Sequence, residues 1–173
     1  MTGDETTAGE ARAAYARYVA ERGRAERGEI TWGELAEAFF TEDAVFVDPA
    51  WGRSEGREEI ARFFDASMRG LDGWTFPEEV TVAEGDRVMS LWWNRLPGAG
   101  PDGRPHQAPG MSLLHYAGGG RFSYELDVLN MAEVGEVIGA AGWAPAGGFV
   151  MPPAAPVRDP SPPGSSPGSP AGG

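Results

Sequence analysis

The hydrophobic period of this chain changes once, near residue 72, and that change sets the class of fold open to it. Before it, apolar residues recur at helical spacing in three segments. Residues 8–27 place Ala14, Tyr15, Tyr18 and Val19 on one side, with Arg and Glu elsewhere. A second helix begins at Thr31, where Thr31 and Glu34 have the spacing of a capping box, and Phe39 and Phe40 close its apolar face. The stretch GREEIARFFDASMRGL sets Ile60, Phe63, Phe64, Ser67, Met68 and Leu71 in register as a third helix. After residue 72 the period becomes two. TFPEEVTVAEG, DRVMSLWWNRLP, RPHQAPGMSLLHYAG and RFSYELDVLNM read as strands joined by Gly-rich turns at 84–86, 97–103 and 117–120. A last helix, AEVGEVIGAAG, ends at Gly142.

Helices first and strands afterwards give an α+β fold. The expected core is a four-stranded antiparallel meander, with one short strand, AVFV, between helices two and three. A strongly curved sheet wrapped around the N-terminal helices encloses a cone-shaped cavity. Pro105 and Pro109 suit the edges and bulges where such a sheet bends.

The domain is expected to span residues 1–144, with its core at about 10–142. Much of the Gly and Pro excess falls in the remainder, 145–173, which lacks apolar periodicity and is expected to be a disordered Pro/Gly/Ser-rich tail. The chain has no cysteine, which excludes disulfides and thiolate metal sites. Its formal net charge of −12, with no basic stripe, argues against nucleic acid as a partner. No secretory leader and no run of eighteen apolar residues is visible, so a cytoplasmic protein without membrane contact is expected.

Asp48 is the first candidate for chemistry. It ends an apolar run and precedes Pro49 in VFVDPAWGRSEGREEIARFF. Asp before Pro commonly starts a turn, and a carboxylate at the mouth of a pocket can equally be a base. Along the last strand Ser123, Glu125, Asp127 and Leu129 share one face, and Tyr124, Leu126 and Val128 the other. Two carboxyl groups on one face repel, and one of them tends to keep its proton where water is excluded. His106 and His115 are the only histidines and lie nine apart, on opposite faces of one strand, so they form no metal pair. His115 is expected against the helices. His106 shares parity with Ala108, Gly110 and Ser112, at the rim of a pocket. No phosphate loop and no nucleophile elbow occur.

The order of elements, together with TEDAVFVDPAWGRSEGREEIARFF, resembles the nuclear transport factor 2-like superfamily. Within it the chain is most similar to the SnoaL-like polyketide cyclases and ketosteroid isomerases, over roughly residues 12–140. The spacing FxxDAxxxDPxxG followed by GREEI carries the resemblance. It implies a general base at Asp48, an oxyanion-binding hydroxyl at Tyr18 and an acid/base carboxyl at Asp127 or Glu125. The isomerases' second oxyanion donor, an acid, falls on Ser112, and a supporting tyrosine falls on Phe64. Both departures weigh against a plain steroid isomerase. The resemblance also turns Ser90, Trp92, Asn94, Ser112, Asp127 and Leu129 toward the cavity and puts Trp51 over its mouth.

The reading that follows is a cofactor-free acid/base enzyme acting on an apolar, carbonyl-bearing small molecule by isomerisation, cyclisation or dehydration. Tyr18, Asn94 or Ser112 would steady the oxyanion. Two alternatives stand beside it. One is a non-catalytic ligand-binding or dimerisation module. The other is water activation as in epoxide hydrolases, for which Arg95 and Arg104 are the nearby arginines. The apolar outer parity set, which includes Leu91, Trp93, Leu113, Tyr124 and Leu126, predicts a homodimer.

Overall fold

The computed structural model describes residues 3–165. In chain order these form α1 (Gly3–Glu26), α2 (Trp32–Phe39), β1 (Phe40–Asp48), β2 (Gly52–Glu55) and α3 (Arg57–Ser67). They continue as β3 (Glu78–Glu84), β4 (Arg87–Ala99), β5 (Pro105–Gly118), β6 (Arg121–Leu129) and α4 (Met131–Ala141). One six-stranded sheet runs in the order β2-β1-β6-β5-β4-β3, and the chain has the α+β architecture expected of it.

The meander β3–β6 is antiparallel throughout. Two features at its other side go beyond the expected four strands. The segment after the Asp48 turn returns as β2 and pairs with β1, Asp48 opposite Gly52. β1 then lies parallel to β6, with Phe46 beside Glu125 and Val47 beside Leu126. A parallel pair needs a long crossover, and everything from β2 to β5 supplies it.

Helices α1–α3 fill the inner face. The capping box is made: Glu34 N–H donates to Thr31 Oγ1 at 3.0 Å, and Thr31 N–H donates to Glu34 at 2.7 Å. The buried stripe of α1 is Ala11, Ala14, Tyr15, Tyr18, Arg22 and Ala25. Tyr18 packs its ring 5.4 Å from Phe39 and 6.2 Å from Phe40. α4 covers the ends of β4 and β5, where Val134 joins Trp74, Leu96 and Ala108.

A break in register between β5 and β6, at His115–Tyr116, changes which residues face the helices. Tyr116 and Phe122 join the inner core, whereas Tyr124 joins Val45 and Val47 on the outer face. His115 does not pack against the helices. Its ring lies 4.7 Å from that of Tyr124 on the outer face, as alternation from the inward Ser112 and Leu114 requires. Burial and the nearby Arg87 charge push its pKa down to about 4.

The stretch 145–173, expected to be disordered, is described as far as Ser165 and holds no helix or strand there. It nevertheless runs as a strap along β2. Arg53 N–H donates to the Val157 carbonyl at 2.7 Å, and Arg53 Nη1 donates to the carbonyls of Asp159 and Ser161 at 3.1 and 2.6 Å. The Tyr124 hydroxyl donates to the Pro160 carbonyl. A proline-rich segment lacks amide donors but keeps every carbonyl, and the edge strand supplies donors to meet them. Residues 166–173 lie outside the described residues.

Candidate active site

The parallel seam places the acids. Phe46 is level with Glu125, so continuing the register by one inward-facing step sets Asp48 alongside Asp127. Both carboxyls, with Glu125, line a cavity of about 100 Å³ between the sheet and α1–α3. Tyr18, Phe64, Trp92 and Ser112 line it too, and so do Arg22, Trp32, Phe46, Phe63 and Phe76.

Each acid has a distinct setting. Asp48 accepts hydrogen bonds through Oδ1 from the backbone N–H groups of Ala50 (2.7 Å) and Trp51 (2.8 Å). Burial raises its pKa, and those two donors act against the rise. Asp127 accepts at Oδ1 from Ser112 Oγ at 2.6 Å, and Ser112 in turn accepts from Trp92 Nε1 at 2.8 Å. Burial pushes Asp127 up to about 7; the Ser112 bond opposes this, and the Asp48 charge adds to it. Glu125 is buried, and its pKa stands well above the carboxylate range through desolvation and the neighbouring Asp127. Its Oε2 has no hydrogen-bond partner, and the Tyr18 side chain lines the same cavity. The cavity thus holds two carboxyls whose protonated form burial stabilises, beside a fixed carboxyl on a turn.

Gly110 makes the Trp92–Ser112–Asp127 chain possible. Trp92 pairs with Gly110 across β4 and β5. A Cβ on Gly110 would stand 2.6–2.8 Å from the indole carbons. Only a residue with no side chain lets the indole lie down on β5 and reach Ser112.

Five residues singled out in the sequence are not in the cavity wall, among them Ser90, which is buried 2.6 Å from Tyr15 Oη. Trp51 packs its ring 5.8 Å from Phe63, outside the cavity and beside Met151 and Pro153; only its backbone N–H serves the site, on Asp48. Asn94 is buried one inward step past Trp92, opposite Ala108, and its Nδ2 has no partner. Leu129 is taken into the cluster beneath α4. His106 lies within the register break between Arg95 and Ala99 and does not line the cavity. Arg95 donates to Gln107 at 2.8 Å, and Arg104 is exposed and beside Asp102.

Sequence reasoning missed Arg22. An arginine in an Arg/Glu-rich helix reads as a solvated residue, yet it lies four positions after Tyr18 and seven after Tyr15. That spacing puts it on the buried stripe. No group of His, Cys, Asp and Glu suited to a metal ion occurs among the described residues, and none of their helices is long and apolar enough to cross a membrane.

A curved sheet over three helices, closing on a cavity with acids from two neighbouring strands, defines a nuclear transport factor 2-like protein. The model of the SnoaL-like domain matches residues 26–124, more than half of the chain, and the chain belongs to that family. Solved structures share the fold at low identity. One from Jannaschia Sp. CCS1, named as a SnoaL-like polyketide cyclase, is 18% identical with a TM-score of 0.60, covering 78% of this chain and 94% of its own. An M.tuberculosis LEH-like epoxide hydrolase is 14% identical with a TM-score of 0.59, covering 78% and 94%. A protein of ketosteroid isomerase-like fold from Catenulispora acidiphila DSM 44928, in complex with trimethylamine, is 23% identical with a TM-score of 0.55, covering 74% and 97%. The curated proteins give no match.

Proposed function

We propose that the protein is a cofactor-free acid/base enzyme that moves a proton on an apolar, carbonyl-bearing small molecule, by isomerisation, cyclisation or dehydration. The observation that carries this is that Asp48 and Asp127 line one cavity. Asp48 is positioned by two backbone donors and acts as the base. Asp127, held near neutral pH as an acid by burial, returns the proton. The aromatic walls from Phe63, Phe64, Phe76 and Trp92 suit a flat apolar ligand.

The test compares the purified protein with Asp48→Asn against an extract of small metabolites, followed by mass spectrometry. A compound consumed by the wild type alone supports the base and names the substrate. A positioned base contributes about 10²–10⁴-fold, so the loss is easy to score. If both proteins retain the same unchanged compound, the enzyme reading falls.

A non-catalytic binding module is the second reading, and one observation favours it. The two donors to Asp48 come from its own turn, which is what a plain turn residue would also show. Under either reading we propose a homodimer through the outer sheet face. Val82 lies beside Met89, and Met111 beside Val128, and all four are exposed. Light scattering on the purified chain reads its mass directly.

A further inference from the structure

The cavity has one cation, and its donors are only partly used. Arg22 is 8% exposed and lines the cavity. Its Nη2 donates to the Phe76 carbonyl at 2.6 Å and to Glu78 Oε1 at 2.7 Å. A guanidinium has five N–H donors, so the N–H of Nε and both of Nη1 remain. Nε is buried without a hydrogen-bond partner, 3.8 Å from Glu26 Oε1 and so beyond hydrogen-bond reach. Nη1 makes no hydrogen bond to any described residue. A buried donor left unmade is costly, so native structures rarely keep one such as Nε without a use.

The guanidinium is also held rigidly. Tyr15 Oη donates to Glu78 Oε1 at 2.9 Å and lies 2.6 Å from Ser90 Oγ, so Ser90, Tyr15 and Glu78 form a chain that ends on Arg22 Nη2. The groups facing it are Tyr15, Tyr18 and Glu26 on α1, Glu78 on β3, and Glu125 and Asp127 on β6. Its charge acts on Glu125 and Asp127, which line the same cavity. Of the other candidate oxygen binders, Ser112 is committed to Asp127 and Asn94 is outside the wall, while the Tyr18 hydroxyl lines the cavity but carries no charge.

We infer that Arg22 is the oxygen anchor of this cavity, and that the ligand is an enolisable, planar apolar ketone whose carbonyl oxygen sits on the free donors of that guanidinium. This rests on the acid/base reading and adds the group that reading lacks. Asp48 takes a proton from the carbon next to the carbonyl. The C–H electron pair becomes the C=C bond, and the carbonyl π pair moves onto oxygen. Arg22, already oriented, stabilises that oxyanion without reorganising, and a proton returned to carbon restores the carbonyl.

The test uses para-nitrophenol as a stable mimic of the enolate and para-nitroanisole as its neutral counterpart, since the small cavity suits a single ring. The absorbance of the bound phenol, followed across pH, gives the fraction present as phenolate. The wild type is expected to enrich the phenolate about tenfold over buffer, a shift of one pH unit or 1.4 kcal/mol. Arg22→Gln should lose that enrichment while binding para-nitroanisole as the wild type does. Wild type that fails to bind the phenol, or binds it without enriching the phenolate, overturns the inference, as does Arg22→Gln that enriches it equally. Where Arg22→Gln no longer binds para-nitroanisole, Arg22→Lys takes its place. Lysine keeps the charge and loses the planar fork, so a shift cut by half or more upholds the anchor and an uncut shift overturns it. Turnover plays no part here. Phenolate enrichment without Asp48-dependent turnover marks a binding pocket, and turnover without enrichment removes Arg22 and leaves the enzyme.

Discussion

The indole of Trp92 lies on Gly110, and from that position its Nε1 donates to Ser112 Oγ at 2.8 Å. A methyl group at 110 would stand 2.6 Å from the ring, well inside contact distance, and β5 at this point is a paired strand with little freedom to retreat. Gly110→Ala is therefore expected to tilt the indole away and break the chain to Asp127. Overpacking of this kind costs about 1–3 kcal/mol. A fall in melting temperature together with a changed tryptophan emission spectrum would show it; an unchanged spectrum would mean the ring has room to spare.

Asp127 also predicts how stability follows pH. Its pKa rises from an unfolded 3.8 to about 7 in the fold, mainly through burial. Between those values the folded chain binds more protons than the unfolded one, so stability falls as pH rises and levels off above about 7. One such proton gives a slope of about 1.4 kcal/mol per pH unit. Glu125 is shifted in the same direction and extends the trend upward. Urea unfolding at a series of pH values should show this decline, and Asp127→Asn should flatten it between pH 4 and 7. A wild-type curve that rises over that range would contradict the buried neutral acids.

Ser112→Ala tests the same carboxyl from the other side. The serine hydroxyl lowers the pKa of Asp127, because a donated hydrogen bond favours the charged form. Without it Asp127 should titrate at higher pH, and Trp92 Nε1 should lose its acceptor. Carbon-13 NMR of labelled aspartate carboxyls would read the shift directly. Movement to lower pH would show that Asp127 is not held by this bond.

Why the acids were partly legible follows from periodicity. Alternation along β6 suffices to put Glu125 and Asp127 on one face, and the capping box suffices to start α2 at Thr31. The meeting of Asp48 with Asp127 in one cavity is a different matter. It depends on β1 lying parallel to β6, a contact between strands more than seventy residues apart that no local pattern encodes. The bulge between β5 and β6 likewise breaks the rule of two along β6, so that Phe122 turns inward while Tyr124 turns outward. Arg22 was hidden by its chemistry: its spacing from Tyr15 and Tyr18 marked it as buried, and its charge argued for solvent. Where spacing and polarity disagree in this chain, spacing gives the position, and the polarity is retained for a partner such as Glu78.

The strap over β2 gives a last prediction. Gly52 lies so close to it that a Cβ would stand 2.6 Å from the Val157 carbonyl, and Arg53 spends its amide and Nη1 on carbonyls of the strap. Arg158 Nε answers in the reverse direction, donating to the Pro49 carbonyl at 2.5 Å in the turn that carries Asp48. Removing residues 146–173 would leave the outer edge of β2 without those carbonyls and Tyr124 without its acceptor. Hydrogen bonds of this kind contribute about 0.5–1.5 kcal/mol each, and an uncovered edge strand invites another chain. The shortened protein is expected to melt several degrees lower and to associate with rising concentration, as read by calorimetry and light scattering. Arg53→Ala in the full chain should reproduce part of the loss in melting temperature. If it does not, while the shortened chain still melts lower, the strap is held by its apolar contacts rather than by its carbonyls.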